Sequence, residues 1–87
     1  MIYKIDFKDI CDKEALYLYL KEIFNKYEFY GNNLDALMEV LMCLRECEIR
    51  LKNISSLKNF LGEYAEKVKD VFILASKENK KIKVIIY

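Results

Sequence analysis

Two hydrophobic periods divide this chain. Met1 to Phe7 alternates apolar and polar residues and is rich in Ile and Tyr, which predicts a strand at about 1–6. Beyond Asp12, a good N-cap with Glu14 behind it, Leu16, Leu20, Ile23, Phe24 and Tyr27 recur at helical spacing. The run Leu16-Tyr17-Leu18-Tyr19-Leu20 also fits strand alternation, but its length and the flanking Lys and Glu residues favour a helix at about 13–26. Glu28-Phe29-Tyr30-Gly31-Asn32-Asn33 reads as a turn, because Gly and Asn tolerate positive φ. Asn33 is placed to cap a second helix at about 34–45, with Leu34, Leu37, Leu41 and Leu44 as its inner stripe. Alternation returns from Glu48 to Ile54 as a short strand. Ser55 or Ser56 then caps a short helix near 56–61, Gly62 interrupts, and a longer helix follows near 63–78, lined by Tyr64, Ala65, Val68, Phe72 and Ala75. Lys81 to Tyr87 forms a third strand. Strands joined by helical crossovers pair in parallel. The expected fold is therefore α/β: a three-stranded parallel sheet packed with three to four helices in one domain over 1–87.

Composition supports a packed domain: 54% of the 87 residues are apolar, which argues against disorder. No proline-, glycine- or serine-rich linker divides the chain and no repeat is visible. A net charge of +1 gives no global case for nucleic acid or an anionic membrane. Histidine is absent, which removes the usual proton shuttle and the commonest metal ligand. The charged, alternating start is unlike a signal peptide, and the apolar runs fall far below the ~20 residues that span a bilayer. Cys11, Cys43 and Cys47 make no disulfide framework and are expected as reduced thiols in a cytoplasmic protein.

The even charge balance hides a local one. Between Glu28 and Glu48 the segment carries −4, leaving +5 on the rest. Asp35 and Glu39 are one turn apart on the second helix and share a face. Met42 and Glu46 continue that stripe and Met38 lies beside it, on the side opposite the leucines, where exposure is expected. Two readings fit these residues. One is a solvated helix face, with acid near the N-terminus favoured by the helix dipole. The other is an anionic patch that docks into a basic cleft, since like charges at i,i+4 and exposed Met serve an interface better than a scaffold.

The stretch Glu28-Phe29-Tyr30-Gly31-Asn32-Asn33-Leu34-Asp35-Ala36-Leu37-Met38-Glu39 resembles the signature of the barstar family, intracellular inhibitors of barnase-type ribonucleases. The family pattern is roughly aromatic-Tyr-Gly-x-Asn-Leu-Asp-Ala-Leu-(aromatic or apolar)-acid. The resemblance extends over the whole chain, including the similar ending Val71-Phe72…Ala75…Ile82-Lys83-Val84-Ile85-Ile86. It implies a non-enzymatic inhibitor without cofactor. The second helix and the loop before it would plug the basic active site of the ribonuclease in a 1:1 complex, mimicking RNA phosphate through charge-assisted pairing with Arg. Carried over by position, Glu39 matches the main phosphate-mimicking acid and Asp35 the acid one turn earlier. Phe29 matches an aromatic that stacks on a catalytic histidine of the target, Gly31 and Asn33 the loop and cap, and Glu78 an acid at the target's edge. Met38 and Met42 would add packing. The departures bear on which ribonuclease is bound. Met38 and Leu44 stand where the family has tryptophan, Leu74 where it has Glu, Phe29 lacks a hydroxyl, and Glu39 is one methylene longer than Asp.

Other constellations are weaker. Cys43 and Cys47 sit four apart but lack further ligands for a metal. An exposed helix face is a poor place to tune Asp35 and Glu39 for acid–base catalysis. The basic run Lys77 to Lys83 reads as a helix end and strand start rather than an RNA site. Tyr30 is expected to anchor the turn by packing. The free protein is expected to be a monomer with no membrane or direct nucleic-acid partner. The alternative function is a barstar-fold binding module for a different basic protein.

Overall fold

The computed structural model describes residues 1–87. Its elements are β1 (Ile2–Asp6), α1 (Lys13–Ile23), α2 (Leu34–Cys43), β2 (Cys47–Lys52), α3 (Ile54–Leu61), α4 (Glu63–Glu78) and β3 (Ile82–Ile86). The three strands pair in parallel in the order β1-β2-β3, with Tyr3 opposite Ile49 and Ile49 opposite Val84. Both crossovers step the same way across the sheet. Right-handed crossovers that advance in one direction lie on the same face, so the helices form a single layer. The strands record this. Ile5, Ile49, Leu51 and Ile82 are buried beneath the helices, whereas Lys4, Lys52 and Lys83 on the alternate positions are exposed.

Caps and core positions follow the expected pattern. Asp12 accepts a hydrogen bond from the Ala15 N–H at 2.7 Å, and Asn33 accepts one from the Ala36 N–H at 2.8 Å. Leu16 and Leu20 from α1, Leu37 and Leu41 from α2, and Val68 and Phe72 from α4 fill the space above the sheet. Tyr17 is fully buried as well, its hydroxyl 2.6 Å from that of Tyr64. A buried phenol needs such a partner.

Four boundaries differ from the periodic reading, each for a local reason. α1 stops at Ile23 because Phe24, buried against the Tyr3 ring at 4.9 Å, leaves helical geometry at φ −101°, ψ 44°. A turn closed by Tyr27 N–H to Phe24 C=O then returns Tyr27 to the core, so the apolar rhythm outlasts the helix. α2 stops at Cys43, because Leu44 is buried in extended conformation at ψ 143°. Arg45 and Glu46 therefore lie outside the helix, and Glu46 does not continue the acidic stripe. Neither Ser55 nor Ser56 is a cap. α3 begins at Ile54 behind Asn53, which adopts left-handed backbone at φ 61° and spends its side chain on Asp6 Oδ1 at 2.7 Å. Asn is one of the few residues that enters this region readily. β2 accordingly ends at Lys52, two residues early. Gly62, at φ 59° and ψ −131°, breaks α3 from α4 where expected, in a region of backbone space that glycine alone enters easily.

Candidate interaction face on the second helix

The segment from Tyr27 to Cys43 is fastened at both ends. On the incoming side, Lys21 Nζ of α1 donates to Asn32 Oδ1 at 2.6 Å. Gly31 sits at φ 121°, and a Cβ there would meet Asn33 Nδ2 at 2.8 Å. Glycine at 31 thus lets Asn33 turn its carbonyl oxygen onto the first turn of α2. At the other end Asn79, the one buried polar residue, donates from Nδ2 to the carbonyls of Leu41 at 3.0 Å, Met42 at 3.4 Å and Leu44 at 3.1 Å. Its Oδ1 accepts the Lys81 N–H at 3.1 Å. The last carbonyls of a helix lack partners within it, and a side chain from the end of α4 supplies them here. α2 is therefore clamped between its own cap and the next crossover.

What this clamped helix presents is acidic. Asp35, Glu39 and Met42 are exposed along one face, while Ala36, Leu37, Val40 and Leu41 are buried on the other. The molecule contains two salt bridges, Arg50–Glu48 and Lys58–Glu66, so neither Asp35 nor Glu39 has a cationic partner. Met42 is 41% exposed. Met38, expected on the open face, is only half-exposed: three residues past Asp35 the helix is about 60° short of a full turn, which sets Met38 at the edge of that face toward half-buried Leu34 and the core. Phe29 likewise packs against the core and is only half-exposed. Gly31 and Asn33 are exposed in the loop just before α2. Glu78 is exposed at the end of α4, next in sequence to Asn79, whose side chain reaches the Met42 carbonyl. Leu74, one turn earlier on α4, is also exposed.

Two residues enter the site that periodicity did not bring forward. Tyr30 does not pack as an anchor: its side chain is 73% exposed, and its hydroxyl donates to the Glu28 carboxylate. That bond, the charge of Glu28, slight desolvation and the charge of Glu39 raise the Tyr30 pKa above the ordinary phenol value. Glu28, Tyr30, Glu39 and Cys43 line a groove of about 300 Å³ between the loop and α2, together with Tyr27, Val40 and one cation, Lys26, which forms no salt bridge with Glu39. A larger hollow of about 440 Å³ lies elsewhere, at the start of the strands between Glu46, Glu48 and Lys80 to Lys83. Its lining mixes Glu46 and Glu48 with Lys80, Lys81 and Lys83 and includes no residue of α2. Cys43 ends α2 but Cys47 opens β2, so the pair does not share a helix face, and both are free thiols.

Residues 1–87 match the family model described as Barstar (barnase inhibitor). The chain belongs to the barstar family. It is also similar to a Bacillus subtilis (strain 168) protein named "Putative ribonuclease inhibitor YrdF". The two are 36% identical over 85 residues, 94% of this chain and 93% of that protein. Membership in the barstar family makes this an inhibitor-type binding protein rather than an enzyme. No helix is long and apolar enough to cross a membrane.

Proposed function

We propose that this barstar-family protein inhibits a barnase-type ribonuclease by setting α2 and the loop before it into the enzyme's basic active site, one inhibitor per enzyme. The observation that carries the reading is the pair of unpartnered carboxylates, Asp35 and Glu39, one turn apart on a helix clamped at both ends. A ribonuclease cleft holds the phosphodiester through cationic side chains. A carboxylate can take the phosphate's place among them and offers no P–O bond to cleave. Rigidity matters because ordering a loop or a helix on binding subtracts from affinity, and a pre-ordered face avoids that loss. Met42, with half-exposed Phe29 and Met38, would exclude water around the charged centre, strengthening each ion pair inside it. Glu78, at the end of α4, would meet the rim. The acidic field of the face would also steer the approach to a basic cleft. Such an inhibitor would act in the cytoplasm, shielding cellular RNA from the ribonuclease before its export.

Titration of a purified barnase-type ribonuclease tests this. Activity should fall linearly with added protein and vanish at one equivalent. A folded protein that leaves such enzymes fully active would refute the ribonuclease reading and transfer the acidic face to a different basic partner.

A further inference from the structure

The other side of the sheet is bare. Parallel sheets are almost always covered on both faces, yet here the helices occupy one. Register gives the composition of the open face. Its first row is Ile2, Glu48 and Lys83, and its second is Lys4, Arg50 and Ile85. The third is Asp6 and Lys52, with Lys52 Nζ 5.7 Å from the Tyr87 ring centroid. Four cations thus stand against two carboxylates. Both carboxylates are already engaged: Arg50 Nε holds Glu48 at 2.5 Å, and Asp6 accepts from Asn53 and from the Lys8 N–H. Lys4, Lys52 and Lys83 are left without a salt-bridge partner, among apolar surface from Ile2, Ile85 and the 65% exposed Tyr87.

The complement to this face is in the same molecule. The helix layer presents Asp35 and Glu39 without cationic partners, beside exposed Met42 and Tyr30. The geometry points to a second copy of this chain as the occupant of the bare sheet face, with the acidic face of α2 in one copy seated on Lys4, Lys52 and Lys83 of the next. Engaged carboxylates and scattered apolar residues suit a protein surface better than a phosphate backbone. The two faces lie on opposite sides of a two-layer fold, so the contact is head-to-tail. Such a contact leaves one free face of each kind at the ends and builds open chains rather than a closed dimer. This differs from the monomer expected for the free protein. Stacking would cover the face proposed to hold the ribonuclease, so a consequence that rests on that reading is that bound enzyme dissolves the stacks.

Sedimentation velocity tests the contact without any ribonuclease. At about 0.01 M salt, where the screening length is roughly 30 Å, the weight-average mass should rise with concentration without a plateau; at about 1 M salt, with screening near 3 Å, it should return to monomer. The doubly reversed sheet variant Lys52→Glu/Lys83→Glu should stay monomeric at low salt, as should the helix variant Asp35→Lys/Glu39→Lys. Mixing the two variants should restore association, since each then carries the face that the other needs. All four substituted positions are exposed, and circular dichroism checks folding. The sheet variant keeps the acidic face intact and should still inhibit, which separates failure of this contact from failure of the inhibitor reading. A wild type that is monomeric at low salt overturns the inference. So does association that survives the sheet reversal, or variants that do not associate when mixed.

Discussion

Replacing Asn79 by alanine probes the clamp that holds the acidic helix. The two N–H groups of its Nδ2 are shared among three carbonyls, those of Leu41, Leu44 and, at longer range, Met42, and its Oδ1 accepts from the Lys81 backbone. The Leu41 carbonyl keeps a weak partner in the Leu44 N–H at 3.4 Å, and Met42 lies near solvent. Leu44, 2% exposed, has no such reserve. Leaving a buried acceptor unpaired costs about 1–3 kcal/mol, and each further hydrogen bond lost contributes roughly 0.5–1.5 kcal/mol. The expected loss is about 2–4 kcal/mol, a large part of the 5–15 kcal/mol typical of a domain. At 4–8 °C per kcal/mol for a chain this short, Tm should drop by roughly 10–30 °C. Urea unfolding followed by circular dichroism measures it directly. Ser76→Ala is the control: its hydroxyl donates to Ile73 within the same helix, at a position nearer the surface. That variant should change stability by less than about 0.5 kcal/mol. Asn79→Asp keeps the shape but turns an oxygen toward three carbonyls, and should destabilise at least as much as alanine. A loss below about 1 kcal/mol for Asn79→Ala would refute the clamp. So would faster amide exchange in Asn79→Ala that spares the end of α2.

Gly31→Ala forces a Cβ to within 2.8 Å of Asn33 Nδ2 at φ 121°. Backbone strain and a disturbed cap together should destabilise by about 1–3 kcal/mol, read in the same urea assay. The Asp6 pKa is lowered, first by the Asn53 side chain and next by the Lys8 N–H. A lowered carboxyl stabilises the fold above its ordinary pKa of 3.8 and loses that contribution as pH falls below it. Asp6→Asn should therefore flatten the acid limb of the stability profile, whereas an unchanged limb would show that other carboxyls set it. The Tyr30 pKa is raised, so its linked stability is present below pH 10 and lost as pH climbs further. Absorbance titration of Tyr30→Phe should lack one late tyrosinate transition, with folding at neutral pH nearly unchanged.

The architecture was legible because its carriers are periodic. Leu16 and Leu20, Leu37 and Leu41, and Val68 and Phe72 mark their helices by spacing, and each is buried as that spacing requires. Element ends were less legible where a long-range contact sets them. Asn53 caps nothing with its side chain because Asp6, far away in sequence, claims it. α1 ends where Phe24 enters the core, although Tyr27 keeps the rhythm. Within the candidate site, Asp35, Glu39 and Met42 fall together on one exposed face by helical arithmetic. Met38 misses that face by the same arithmetic applied more closely. Asn79 shows the limit: a lone Asn after a helix predicts a local cap, and nothing local reveals that its amide serves a different helix. Tyr30 shows another, since an aromatic in a turn suggests packing, and only the Glu28 carboxylate two residues away explains why it stands in solvent.

The central claim is that the Glu39 carboxylate occupies a phosphate-binding position in the target, and comparing the inhibition constants of wild type and Glu39→Gln tests it most directly. The substitution keeps size and removes charge at an exposed position, so the fold should be unaffected. Truncating one partner of a buried, hydrogen-bonded charge pair costs about 2–5 kcal/mol, a range that barnase–barstar measurements themselves helped to set. The account predicts inhibition weakened by at least about 30-fold, with the remaining affinity less sensitive to salt than that of the wild type. Equal inhibition by the two proteins, with the same salt dependence, would contradict the account and remove α2's acidic face from the centre of the complex.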